Sequence, residues 1–101
     1  MIITKKTPFT LAEIEKINKK NKIALESMAM DLKRVALGYH NNSLKMAERF
    51  HEEALARKNE IDLAEIKPYL RLILKETKKI DTSDDALMFS TLIQNYTRKF
   101  L

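Results

Sequence analysis

Apolar side chains recur every three or four residues between Leu11 and Tyr39, and two asparagines share their face. This spacing follows the 3.6-residue period of an α-helix. The face comprises Leu11, Ile14, Asn18, Asn21, Leu25, Met28, Leu32, Val35 and Tyr39. Thr10 and Glu13 match a capping box in front of this stripe, so the pattern predicts a long first helix that begins at residue 10.

The first helix is expected to end near the only glycine of the chain, Gly38. Asn41, Asn42 and Ser43 follow it and can supply a left-handed C-cap and then a new N-cap. The apolar face also changes register after Ser43, which favours a turn at residues 38–43. The alternative is one bent helix of about fifty residues, because a single glycine costs only about 1 kcal/mol inside a helix.

The second half of the chain carries the start signals of two more helices. Asp62 and Glu65 repeat the capping chemistry of the first helix, whereas Pro68 predicts either a kink in the third helix or a start close to residue 68. Thr82 or Ser83 would cap the fourth helix.

The apolar positions of these later helices predict their inward faces. The second helix would direct Leu44, Ala47, Phe50, His51, Ala54, Leu55 and Lys58 inward. The third would direct Leu63, Ile66, Leu70, Ile73, Leu74 and Thr77 inward, and the fourth would bury Phe89, Leu92, Ile93, Tyr96 and Phe100.

The composition favours an all-α fold, because 45% hydrophobic residues with one Gly, two Pro and no Cys suit neither a many-stranded sheet nor a disulfide scaffold. We expect a single domain over residues 1–101, with an extended segment at 1–9 and helices at about 10–37, 43–60, 62–80 and 83–100. At 101 residues a single core is just adequate, so self-association would add stability.

Asn18 and Asn21 interrupt the apolar stripe of the first helix and suggest an interface. An amide in an apolar seam costs stability unless it is paired, yet it can fix register when it meets a partner. We therefore predict a twofold dimer through this part of the helix; the alternative is that the asparagines are solvated. The predicted interface consists of Leu11, Ile14, Ile17, Asn18, Asn21 and Leu25.

The net charge of +5 lies entirely in the first half, where residues 1–50 carry 10 basic and 5 acidic side chains. The densest basic cluster consists of Lys16, Lys19, Lys20 and Lys22. Such a cluster could follow the phosphates of a nucleic acid, although no aromatic residue is interleaved with these lysines for base stacking. Nucleic-acid binding is thus a second hypothesis, against the alternative of a solvated helix face.

Glu48 and His51 form a Glu-x-x-His pair, an arrangement that ligates di-metal centres in helical bundles. Each such site needs a further carboxylate from a neighbouring helix, and Asp31, in the stretch expected opposite His51, lies on the wrong side of the first helix. His51 also shares a face with Ala47 and Ala54, so we expect a hydrogen-bonded histidine there, either in the interior or at an interface. Without that carboxylate we expect no metal site. One glycine cannot build a phosphate loop, so we expect no nucleotide cofactor, and no small-molecule substrate is evident from the sequence.

Arg34 and His40 are separated by five residues, an Arg-x5-His spacing that resembles the RNase motif of the HEPN superfamily of small four-helix nucleases. The resemblance covers these two residues. It implies RNA cleavage as a distant third hypothesis.

The leading hypothesis is a non-enzymatic interaction module, an adaptor, regulator or self-associating scaffold that presents a helix face to a protein partner. The N-terminus lacks the long apolar region of a signal peptide, and no stretch suits a membrane span, so we expect a cytoplasmic protein.

Overall fold

A computed structural model describes residues 10–101, which form four α-helices and, within that range, no β-strand. The helices are α1 (Leu11–His40), α2 (Leu44–Arg57), α3 (Pro68–Glu76) and α4 (Ser83–Phe100). Single 3₁₀ turns follow α2, precede α3 and follow α3. The predicted all-α bundle with a long first helix is confirmed, and the predicted extended segment at 1–9 lies outside the described residues.

The first turn of α1 has the predicted capping box. The backbone N–H of Thr10 donates to Oε1 of Glu13 at 2.9 Å, and the backbone N–H of Glu13 donates to the Thr10 hydroxyl at 3.2 Å. The hydrogen bond from the Thr10 backbone lowers the pKa of Glu13, because it stabilises the ionised carboxylate.

The turn between α1 and α2 is confirmed, although α1 continues to His40. Asn42 adopts a positive φ of 58°. The N–H groups of Asn42 and Ser43 donate back to the carbonyls of Tyr39 and Gly38, which is the Schellman pattern of helix termination. Gly38 itself is helical and serves a different purpose: a Cβ there would lie 2.6 Å from the backbone nitrogen of Ala47, so only glycine permits this approach of α2 to α1.

The third helix begins at Pro68, the later of the two predicted starts. Proline suits the first helical position, where its missing N–H has no helical partner to lose. The Asp62 carboxylate caps only a 3₁₀ turn, accepting from the Ala64 N–H at 3.1 Å. Leu63 was expected to face inward, but it is 47% exposed because it lies in this turn and outside the periodic helix.

Three other residues that were predicted to face inward are exposed, one in α2 and two in α4. Leu44 is 63% exposed because it occupies the first position of α2, before that helix packs fully on α1. Leu92 and Phe100 of α4 are each 37% exposed, at the edge of the buried face. Thr82 confirms the predicted cap of α4, its hydroxyl accepting from the Asp85 N–H at 3.1 Å.

Helix α1 is the central element, since both α2 and α4 pack along it. The Ser90 hydroxyl of α4 donates to the carbonyl of Ala29 at 2.8 Å, fully buried between the two helices. Helices α2 and α4 both run antiparallel to α1, and α3 lies beside them. The core that results is formed by Leu25, Met28, Leu32, Val35, Leu70, Leu74, Ile93 and Tyr96 together with buried alanines and the isoleucines 61, 66 and 80.

Candidate interaction surface

The predicted interface on α1 divides into an outer and an inner part. In the outer part, Leu11 is 74% exposed, and Ile14, Ile17 and Asn18 are half-buried. These four residues keep their predicted role at an interface as a hypothesis.

The inner part is buried within the bundle, so Asn21 and Leu25 are removed from the predicted interface. Leu25 is 0% exposed in the core. Asn21 is equally buried, and its amide exchanges two hydrogen bonds with the backbone of Asp62: its Nδ2 donates to the carbonyl at 3.1 Å, and its Oδ1 accepts from the N–H at 2.7 Å. The amide is thus paired within the chain, and a second copy could not reach it.

Sequence reasoning missed a second apolar face, on the side of α1 that points away from the bundle. Ile23, Met30 and Leu37 are 59%, 52% and 49% exposed. They are spaced by seven residues, so they share one side of the helix, and we call them the outer row. The sequence contains this seven-residue spacing. However, the more numerous inward-facing apolar residues of α1 already explain the hydrophobic periodicity of the helix.

Charged and polar side chains flank the outer row on both sides. Glu26 and Lys33 lie on the α4 side, where they line shallow depressions shared with residues of α4. Arg34 lies on the α2 side, with its guanidinium 5.4 Å from the centroid of the Phe50 ring. Ser27, seven residues before Arg34, shares that side. The outer row is therefore an apolar seam with a polar border.

The four lysines of the basic cluster are all exposed on α1. Among residues 10–101 none of them lies within 4.0 Å of a carboxylate oxygen. Their charges are therefore available to an anionic partner.

An aromatic cluster adds a feature that the sequence did not reveal. Tyr69 of α3 meets Tyr96 and Phe100 of α4, with centroid distances of 5.8 and 6.5 Å. Lys67 and Lys99 place their ammonium groups 4.7 and 5.4 Å from the Phe100 centroid. Since α4 runs antiparallel to α1, this cluster lies toward the end of the bundle that carries the basic cluster.

His51 is hydrogen-bonded and half-buried, as expected. Its Nε2 lies 2.8 Å from the carbonyl oxygen of Thr77, at the C-terminal end of α3. The C-terminal end of α3 receives a second donor, because the ammonium of Lys58 donates to the Leu74 carbonyl at 3.1 Å. Burial lowers the pKa of Lys58, and the nearby positive charge of Lys78 lowers it further. Both side chains serve the packing of α3 on α2.

The two residues of the Arg-x5-His spacing lie on different sides of α1. Arg34 pairs with Asp31 at 3.2 Å and faces α2. His40 lines a depression with Ser83 and Leu87 of α4. Within one chain, the structure does not bring Arg34 and His40 together.

Asp31 is the buried charge of the bundle, with 4% of its side chain exposed. Its Oδ2 lies 3.6 Å from Nε of Arg57 in α2, and its Oδ1 accepts from Arg34. The two arginines balance this carboxylate and link α1 to α2.

Residues 10–101 contain no group of three or more His, Asp or Glu side chains placed to hold a metal ion. Within the same range no helix is both long and apolar enough to cross a bilayer. No protein-family model, curated protein or solved structure matches this chain.

Proposed function

We propose that this protein is a non-enzymatic helical interaction module that self-associates. The outer row carries the proposal. Its three aliphatic side chains are each about half exposed and share one side of α1, and apolar side chains aligned within a polar border are typical of helix-to-helix interfaces. Burying them against another chain would remove apolar surface from water, which favours association.

The experiment is sedimentation velocity over a concentration series of the full chain. We expect the mass to move from monomer to dimer as concentration rises. Met30→Gln, at the centre of the outer row, should shift the midpoint to higher concentration. Met88→Gln is the matched control, because Met88 is 49% exposed on α4 and lies outside the row. A chain that stays monomeric at every concentration would overturn the proposal.

Nucleic-acid binding is a second candidate, favoured by the exposed basic cluster and by the aromatic cluster toward the same end. Lysines attract phosphates without sequence preference, and exposed rings such as Tyr69 and Phe100 can stack on unpaired bases.

Fluorescence anisotropy with a single-stranded oligonucleotide tests this candidate. Affinity should fall as salt rises, and changing Lys16, Lys19, Lys20 and Lys22 to Gln should weaken binding and flatten the salt dependence. Changing Lys45, Lys75, Lys78 and Lys79 to Gln removes the same charge from other exposed positions. Equal loss in both variants would indicate a general charge effect and exclude a site on α1.

A further inference from the structure

The polar border of the outer row has an arrangement that specifies how two copies would meet. Glu26 and Lys33 are seven residues apart on the α4 side of the row, so they occupy equivalent positions in successive heptads. Ser27 and Arg34 are likewise equivalent on the α2 side. One border therefore carries both signs of charge, and the other carries a positive charge and a neutral residue.

A twofold axis through Met30 makes this border self-complementary. When two α1 helices pack face to face and antiparallel, each side of one helix faces the same side of the other. Glu26 of each copy then lies opposite Lys33 of the second copy, twice by symmetry. On the other border, Arg34 lies opposite Ser27, so no like charges meet there.

The same axis also matches the apolar residues. Met30 meets Met30 at the centre, and Ile23 of each copy lies opposite Leu37 of the second copy. Leu87 of α4 lines the same depression as Leu37 and is 47% exposed, so it widens the apolar contact offered to Ile23.

A parallel pair would be opposed by its charges. With the axis along the helices, the α4 side of one copy faces the α2 side of the other. Lys33 of each copy would then lie opposite Arg34 of the second copy, and like charges placed together at an interface disfavour that arrangement.

We infer that the protein forms an antiparallel homodimer through the outer row, centred on Met30, with Glu26 and Lys33 as the reciprocal pair that sets its orientation. This inference rests on the proposed self-association and adds its geometry. It differs from the interface predicted from the sequence at residues 11–25, whose remaining part, residues 11–18, lies on the opposite face of the same helix.

Single cysteine variants test the geometry cleanly, because the chain has no cysteine of its own. In the antiparallel dimer the two copies of residue 23 lie about 21 Å apart, from 14 residues at 1.5 Å each. Met30→Cys should therefore form a covalent dimer with a short bismaleimide, whereas Ile23→Cys and Leu37→Cys should do so only when mixed. Leu72→Cys, at an exposed position of α3, measures random collisions.

Charge reversal tests the pairing. Glu26→Lys and Lys33→Glu should each weaken dimerisation about tenfold, since each turns two attractive contacts into repulsive ones, and the double variant should restore it. Circular dichroism checks that each variant is folded.

The outcomes separate the two claims. Two results would count against the geometry when the wild-type chain dimerises: Met30→Cys cross-links no better than Leu72→Cys, or Ile23→Cys cross-links with itself. Either result would overturn the antiparallel geometry and leave self-association standing. A chain that is monomeric throughout would overturn both.

Discussion

Asn21 shows how one polar side chain can be fully buried when both halves of its amide are hydrogen-bonded. It joins the middle of α1 to the chain segment that leads into α3, 41 residues later. A backbone N–H and a carbonyl that would otherwise need water are satisfied by one side chain.

Removing that amide should destabilise the fold. Asn21→Ala leaves both polar groups of Asp62 without this partner, so the free energy of unfolding should fall by about 1–3 kcal/mol. Urea denaturation measures the loss. Asn18→Ala is the matched control, since Asn18 is half-buried and makes no side-chain hydrogen bond among residues 10–101, and its effect should stay within about 0.5 kcal/mol. Equal losses in the two variants would contradict the assigned role.

Replacing Gly38 with alanine should destabilise the fold, contrary to the usual helix preference. Alanine normally favours a helix over glycine by about 1 kcal/mol. Here the added Cβ would collide with the backbone of Ala47, which cannot move away as a flexible side chain would. Gly38→Ala should therefore lower the melting temperature, at a cost of about 1–3 kcal/mol. A raised melting temperature would show that α1 and α2 can separate freely.

At the scale of the helices, the sequence predicted the elements whose signals are local. The caps at Thr10 and Thr82 and the left-handed residue after α1 each depend on side chains within a few positions of one another. The sequence does not decide where α3 starts, because Pro68 and Asp62 give competing local signals. The structure favours the proline, and the N–H of Asp62 that Glu65 would have bonded is taken by Asn21.

The candidate surface was less accessible to sequence reasoning. Asn21 looked like an interface residue because its actual partner is a backbone group distant along the chain. The outer row was hidden by a denser stripe on the same helix, and Leu63 was expected inside because it was counted as helical. In each case the missing information was tertiary.

The first turn of α1 should respond to acid. The pKa of Glu13 is lowered in the folded chain, so the stability that its carboxylate provides is complete above its ordinary pKa and is lost as the pH falls through the lowered value. Secondary chemical shifts of residues 11–14 should therefore move toward coil as the pH falls below the ordinary pKa of a glutamate and through the lowered value. Glu13→Gln should show little pH dependence in this turn. A turn that stays helical at the lowest pH would contradict the capping role.

At the scale of the whole molecule, α1 holds the bundle together because α2 and α4 both pack along it. Leu32→Ala removes a fully buried side chain from α1 and should cost about 2–5 kcal/mol, whereas Leu72→Ala, at a position 64% exposed, should cost less than about 0.5 kcal/mol. Helical circular dichroism and tyrosine fluorescence should report one shared transition. Separate transitions would show that α1 does not couple the other helices.

Helix α1 carries both the buried stripe and the outer row, so insertions and deletions within it are constrained. Inserting or deleting one residue near Met30 would rotate the following part of the helix by about 100°, which would displace the buried stripe and the outer row together. The turns at residues 41–43 and 58–67 have no such double constraint. Over evolutionary time, gaps in an alignment of related chains should therefore fall in those turns, while the segment from Asn21 to His40 keeps a constant length.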